Sequence, residues 1–350
     1  MQMQYKVISQ YQLLCQSDRG CLFFRRGGLF FSPSPEAKPQ KLLQLPGLLT
    51  RFALTQRLLR LIPRFAIPYR EGYLLSWHGG LHYVDPAQKT CTCLHRYRSG
   101  VNNPLHITAI HHIPGFTDGL VFGDYWGNTN KEPVGIYRLD HTGVTQVYTF
   151  PAGQTQHIHR IMAEKGRVLI CTGDGDGESG IWEAFDDFKT VKPLLMGSQQ
   201  YKTCSPYVTD QGILYATDTP LEDNAIWLYD GKTTQKLHPM PGPCIYSMAH
   251  DGSFFFATSV EPDSSLPPWR YRLTYRLGKG VKTRQVHLIA GNPERGFETV
   301  LKLRKDPLPM LLFQFGNCTF PYQQDPHHLY LTPASTLGTH GKTLRLPISK

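Results

Sequence analysis

Two histidines, His157 and His159, stand in the run Gln154-Thr-Gln-His-Ile-His-Arg just ahead of an apolar stretch. On an extended chain, residues two apart point to the same side, so both imidazoles project together. Such a pair can ligate a transition metal, carry protons near neutral pH, or sit as satisfied channel histidines. Gln154 adds an amide oxygen, so Gln154, His157 and His159 form one candidate metal set. Asp174-Gly-Asp176-Gly-Glu178 forms another. Alternate carboxylates there either converge on a hard cation or cap their own turn.

Other polar residues recur at matching places. Asp124, Asp174, Asp218 and Glu261 each follow an apolar strand, which predicts one carboxylate at an equivalent position in four successive repeats. For any one of them alone, turn capping is the competing reading. His106, Gln199, Gln200 and Tyr201 head other strands, Arg160 follows the histidine pair, and Trp126 and Asn128 share one loop. Carboxylates, amides, imidazoles and aromatic rings together suit a carbohydrate, whose hydroxyls need paired donors and acceptors and whose faces stack on rings. The expected chemical groups are His157, His159 and Tyr201 with Asp124, Asp174 and Asp218. Trp126, Asn128, Arg160, Gln199, Gln200, Glu261 and His106 are expected to hold the substrate.

The elements that must position these residues are repeats. An apolar strand begins at Gly20, Gly72, Gly119, Arg167, Gly212, Ser253 and Pro309, at intervals of 52, 47, 48, 45, 41 and 56 residues. A companion strand follows each, at Leu29, Leu81, Ile136, Ile181, Ile226, Tyr271 and Leu329, and a further strand usually closes the unit, as in VTQVYTFP and KTLRLPI. Seven units of about four strands at this period predict an all-β protein, a β-propeller of seven four-stranded blades spanning residues 1–350. Radial stacking buries both faces of sheets too small to be stable alone. The mouth of the central channel is the usual ligand site of this architecture.

One insertion, residues 47–63, interrupts the period between the first two blades. Its pattern predicts an amphipathic helix with Arg57, Arg60 and Arg64 on one face and Leu48, Phe52, Leu59 and Ile62 on the other. The apolar face is expected to pack on the propeller, leaving a solvated basic edge. Alternatively the helix rests on an anionic membrane surface. The net charge of +10 fits such a local basic region, because residues 1–70 hold eleven Lys/Arg against Asp18 and Glu36. It does not support nucleic-acid binding, and RNA-binding signatures are absent. No export signal or membrane-spanning run is visible. The eight scattered cysteines therefore read as reduced and mostly buried, and the expected location is cytoplasmic, with peripheral contact at the inner membrane surface through the 47–63 helix.

The motifs GDYWGNTNKEPVGIYR, QHIHRI, TGDGDGESGIW, GSQQY and ATDTPLEDN, between Gly119 and Pro262, resemble those of a bacterial group of sialidase-like (Asp-box-related) β-propeller proteins. That group occurs with surface-polysaccharide genes and is often labelled glycosyl hydrolase. The resemblance implies a glycan or sugar-precursor substrate. The sialidase turn is not retained: Leu139 to Gln146 keeps only its Gly and Thr, and Arg160 is the only arginine on a first strand, so it does not extend to sialidase activity. The Gln154-x-x-His157-x-His159 spacing is also similar to a metal-binding segment of propeller oligogalacturonate lyases. The expectation is a hydrolase- or lyase-like protein of surface-polysaccharide metabolism, with a divalent metal as the one cofactor its residues admit. The alternative is a non-catalytic propeller that binds a glycan or organises proteins.

Overall fold

A computed structural model of the chain describes residues 3–98, 100–323 and 325–348. It is all-β apart from a few short helical turns, and its strands form seven four-stranded antiparallel sheets. This is a seven-bladed β-propeller, as the repeat period predicts. Blade 1 comprises Gln12–Ser17, Gly20–Arg25, Gly28–Ser32 and Gln40–Gln44; blade 2 runs from Phe65–Tyr69 to Thr90–Arg96. Blades 3, 4 and 5 begin at Thr108–Ile110, Ile158–Glu164 and Thr203–Thr209, and blade 6 at Cys244–His250. In each, the sheet order follows the chain.

Blade 7 departs from that order. Its strands are Asn317–Thr319, His328–Ala334 and Thr343–Pro347, and the fourth is Lys6–Ser9 from the other end of the chain. The run at Leu329 is therefore a second strand, and Thr343–Pro347 a third, each one place earlier than the sequence pattern predicts. The expected strand at Pro309 is instead the helix Met310–Phe313, and the run at Tyr271 begins in the helix Pro268–Leu273 and continues as loop, while the third strand of blade 6 is Gln285–Asn292. Apolar runs this short carry no period that separates strand from helix, so tertiary packing decides.

The 47–63 insertion is not one helix. A 3-10 turn, Leu48–Arg51, leads into α1, Ala53–Leu58, which stops where Arg60 turns to φ 52°. Its faces are largely the reverse of the expected ones, although Ile62 still packs against the core of blades 1 and 2 and Arg60 stays exposed. Arg57 is only 8% exposed and donates to Asp306 Oδ2 (2.8 Å), the Phe313 carbonyl (2.6 Å) and Ser335 Oγ (2.9 Å). Arg60 donates to the Leu311 carbonyl and Arg64 to the Tyr246 hydroxyl, whereas Leu48, Phe52 and Leu59 face out. Arginine was the residue with enough donors to satisfy the carbonyls and carboxylate in that niche, and it took the inner face.

The chain divides into two compact units. Tyr97–Ile245 holds blades 3, 4 and 5; the remainder holds blades 1, 2 and 7 and nearly all of blade 6. In the first unit, Val121, Ile136, Phe150, Ile161, Val168 and Ile170 form one core between blades 3 and 4. Each such side chain contributes about 1.5–3 kcal/mol on burial. That core fixes the first strand of blade 4 against blade 3, where Ile158 N–H donates to the Asp124 carbonyl. The histidine pair flanks Ile158.

Candidate functional site

His157 and His159 project together, as their spacing predicts. Their rings lie 4.8 Å apart and their Nε2 atoms 2.8 Å apart, both almost fully buried. His157 Nδ1 lies 2.7 Å from the Trp126 carbonyl. A carbonyl only accepts, so Nδ1 carries the proton and Nε2 presents its lone pair. Tyr125 packs its ring edge against His157 at 4.7 Å. Burial, with His159 beside it, depresses the His157 pKa to about 4, which leaves it neutral at pH 7.

Asp174 completes the cluster. One carboxylate oxygen lies 3.5 Å from His157 Nε2 and the other 3.5 Å from His159 Nε2. Gly173 makes the turn that brings it there: its φ is +95°, and a Cβ would meet the Glu178 carbonyl at 2.5 Å. Lys202 Nζ sits 2.7 Å from Asp174 Oδ1. Burial pushes the Asp174 carboxyl up, but Lys202 and the two histidines outweigh it and hold the group ionised, well below the usual carboxylate range. The Asp174 side chain keeps 43% of its surface exposed, so this otherwise buried cluster opens to solvent through its carboxylate.

These three groups fit a metal. Bonds of about 2.1 Å at right angles put neighbouring ligand atoms about 3.0 Å apart. The separations here, 2.8, 3.5 and 3.5 Å, bracket that value. Two imidazoles and a carboxylate suit Mn²⁺, Fe²⁺ or Zn²⁺, and ligating histidines ordinarily donate their other N–H to a carbonyl, as His157 does. A second group, His159, Cys204 and Asp218, shares one histidine with the first and is wholly buried. There the Cys204 thiol lies 3.2 Å from Asp218 Oδ2, and burial with that carboxylate raises its pKa.

The other expected residues divide. Strand pairing corrects the alignment of the acids. Gly123, Cys171, Ala216 and Ala257 pair with Ile136, Ile181, Ile226 and Leu288, which hold equivalent places ahead of a bulge. Counting from them, Asp124 is first, Asp218 second, Asp174 third and Glu261 fourth, so the four carboxylates are staggered. Loops of different length hid this. Asp124 Oδ2 accepts from the Gly135 N–H at 2.9 Å, and Thr217 and Thr258 Oγ1 accept the matching N–H of Ala225 and His287. Asp124 does there what threonine does in two other blades. Burial raises its pKa despite that bond and Arg98, 3.7 Å away.

The Asp174–Glu178 loop does not gather its carboxylates. Asp176 accepts from Gln199 Nε2 (2.9 Å), and Glu178 accepts from the Gly175 N–H (3.0 Å) and pairs with Lys131 at 3.4 Å. Gln199 also donates to the Asp174 carbonyl, so it braces this loop. Asn128 spends its amide on Glu132, Gln200 donates to Thr234, and Arg160 reaches the Cys204 carbonyl. Trp126 stacks under Arg98, 4.4 Å from its ring centre. The Gln154 side-chain oxygen is buried without a hydrogen-bond partner, and His106 lies ahead of blade 3, half-buried. Tyr201 ends a 3-10 turn, Gln199–Tyr201. Glu261 belongs to the other unit, where Ser259 Oγ donates to it.

Sequence reasoning missed Lys202 and Tyr125. Each adjoins a residue that it selected, Tyr201 and Trp126. The strand pairing reveals what Lys202 is: Ile158 pairs with Thr172 and Thr203 with Thr217, each before a bulge, so Lys202 is the blade-5 counterpart of His157.

Neither a family model nor a curated protein matches this sequence. Among solved structures, the chain is similar to an oligogalacturonate lyase in complex with manganese (TM-score 0.55, 10% identity, covering 100% of this chain and 98% of that one). It is also similar to the AfRom2 CNH domain (TM-score 0.54, 9% identity, 99% of both chains). A third is the extracellular domain of a putative hybrid two component system, BT4673 from B. thetaiotaomicron (TM-score 0.54, 10% identity, covering 99% of this chain and 40% of that one). At these identities the likeness establishes the propeller fold.

Proposed function

We propose that the His157–His159–Asp174 cluster binds a divalent transition metal and that the protein acts on an acidic, uronate-containing glycan. The observation that carries this reading is the convergence of two imidazole Nε2 atoms and one half-exposed carboxylate on a single point. When bound, the ion would supply Lewis acidity towards a sugar carboxylate. His157 and His159 would hold it through Nε2, with Trp126 fixing the first ring and Asp174 closing the set. Lys202 supplies a second positive charge at the same carboxylate, placed to pair with an anionic sugar or to exchange a proton with it. Tyr125, Trp126 and Arg98 give aromatic and cationic surface beside the pair. The likeness in fold to an oligogalacturonate lyase and the resemblance to sialidase-like propellers support the same substrate class. Elimination is the favoured reaction, because a metal beside Lys202 suits removal of a proton next to a sugar carboxylate, whereas the second carboxylate near this cluster among the described residues, Asp218, is buried and accepts from the Cys204 thiol.

The test is calorimetric titration of chelated protein with Mn²⁺ and Zn²⁺, beside polygalacturonate turnover followed by the ultraviolet absorbance of unsaturated uronate. One equivalent should bind, and His157→Ala/His159→Ala should weaken it by at least ~100-fold. Binding that survives the double substitution would sink the metal centre. Metal bound with no turnover of any polyuronate would leave glycan binding as the activity.

A further inference from the structure

We propose that three short helices of the unit holding blades 1, 2, 6 and 7 form a docking surface for an anionic lipid bilayer. The helices are α1, α2 (Pro268–Leu273) and α3 (Met310–Phe313), and α3 packs against both of the others. Arg57 fixes α1 to α3 through the Phe313 carbonyl and stacks over its ring. With Arg57 on the inner face of α1, the apolar side chains around it turn out. Leu48, Phe52, Leu54 and Leu59 are each more than half exposed, and from α2 so are Trp269, at 66%, and Leu273. Scattered exposed leucines need no explanation, but six large apolar residues on two helical segments that both pack against α3 do.

Charge selects the occupant. Residues 47–64 and 264–293 together contain ten Lys/Arg and no Asp or Glu. Two of these cations are neutralised inside the unit, Arg57 by Asp306 and Arg276 by Asp263. Arg51, Arg270 and Arg272 are exposed among the apolar residues, and the Arg270 guanidinium lies 5.1 Å from the Trp269 ring centre. Exposed apolar residues interspersed with arginine on the same helical segments, with an indole among them, match the interface of an anionic membrane, where rings sit at headgroup depth and each cation gains from the surface potential. A second copy would bring the same charge against this face and is disfavoured.

The test is sedimentation of the full chain with vesicles of phosphatidylcholine alone and of phosphatidylcholine mixed with phosphatidylglycerol, together with tryptophan emission. Binding should require the anionic lipid, and the blue shift on binding should disappear in Trp269→Phe. Arg51→Gln/Arg270→Gln/Arg272→Gln should weaken binding about 100-fold. Phe52→Ser/Leu54→Ser should weaken it at least ~10-fold. Both variants change exposed residues, and an unchanged melting temperature confirms that they fold. The proposal is overturned if neither vesicle binds, or if both variants bind like the original. It is equally overturned if the apolar substitutions abolish only self-association or capture of an acidic protein.

Discussion

Two clusters in this molecule are built from the same kinds of residue and do opposite things. In one unit, Asp306 lies between Arg57 and Lys305, with His340 nearby; in the other, Asp174 lies between Lys202 and two histidines. Around Asp306 the surplus donors are spent on backbone: Arg57 on Phe313, Lys305 on Leu308, while the Ser335 N–H donates to His340 Nδ1. Both partners of the Arg57–Asp306 pair are buried. Around Asp174, two imidazole Nε2 atoms and a carboxylate face one another, and the carboxylate stays half-exposed. The first arrangement is closed and fastens α1 and α3 to a blade. The second is open, and it is the arrangement proposed above to hold a metal. Residue type alone did not distinguish them; satisfaction of the remaining donors and acceptors did.

The sharpest way to break this comparison is Asp306→Ala. It leaves Arg57 and Lys305 buried without their carboxylate and should cost about 3–5 kcal/mol in urea denaturation while leaving Mn²⁺ titration unchanged. A loss below ~1 kcal/mol would mean that the closed cluster does not hold the structure.

A smaller effect follows from pH. Burial depresses His340 and His287 to about 4, with cationic neighbours adding to it. The unfolded chain binds these protons near pH 6.5, so between 6.5 and 4 it takes up more than the folded chain does. The associated stability is complete above pH 6.5 and is lost as pH falls towards 4, by up to about 3 kcal/mol per histidine. His340→Asn, which keeps an acceptor for Ser335, should flatten that slope in melts at stepped pH. An unchanged slope counts against the buried neutral imidazole.

The smallest effect sharpens the site instead. Asp124→Thr places in blade 3 the residue that caps the same N–H in blades 5 and 6. It should cost under ~1 kcal/mol and leave turnover intact. A drop of about 10²-fold would restore Asp124 as a general acid.

Much of the fold was legible because a strand sandwiched between blades must be apolar along its length, and such runs recur visibly. Where the period failed, the cause was local. PMLLF and YRLTYR are too short to distinguish helix from strand, and the outer strand of blade 7 comes from Lys6–Ser9, which pairs with Arg345, Leu344 and Thr343 at the far end of the chain. At the site, the projection of His157 with His159 needed only the period of two. The stagger of the acids needed the strand pairing, because each loop resets the count.

By itself, then, the sequence determined the propeller, its blade number and the pairing of two imidazoles, all of which follow from local periodicity. Only the tertiary structure decided that Lys202 joins Asp174, that Asp124 is a cap, and that Arg57 turns inward while Phe52 and Trp269 face out. Those outcomes depend on which donors and acceptors remain unmet once the blades are packed. For Lys202 and Arg57 no short window of sequence contains that information, because their partners lie far along the chain. For Asp124 the partner Gly135 is only 11 residues away, but the strand pairing decides which N–H the carboxylate meets.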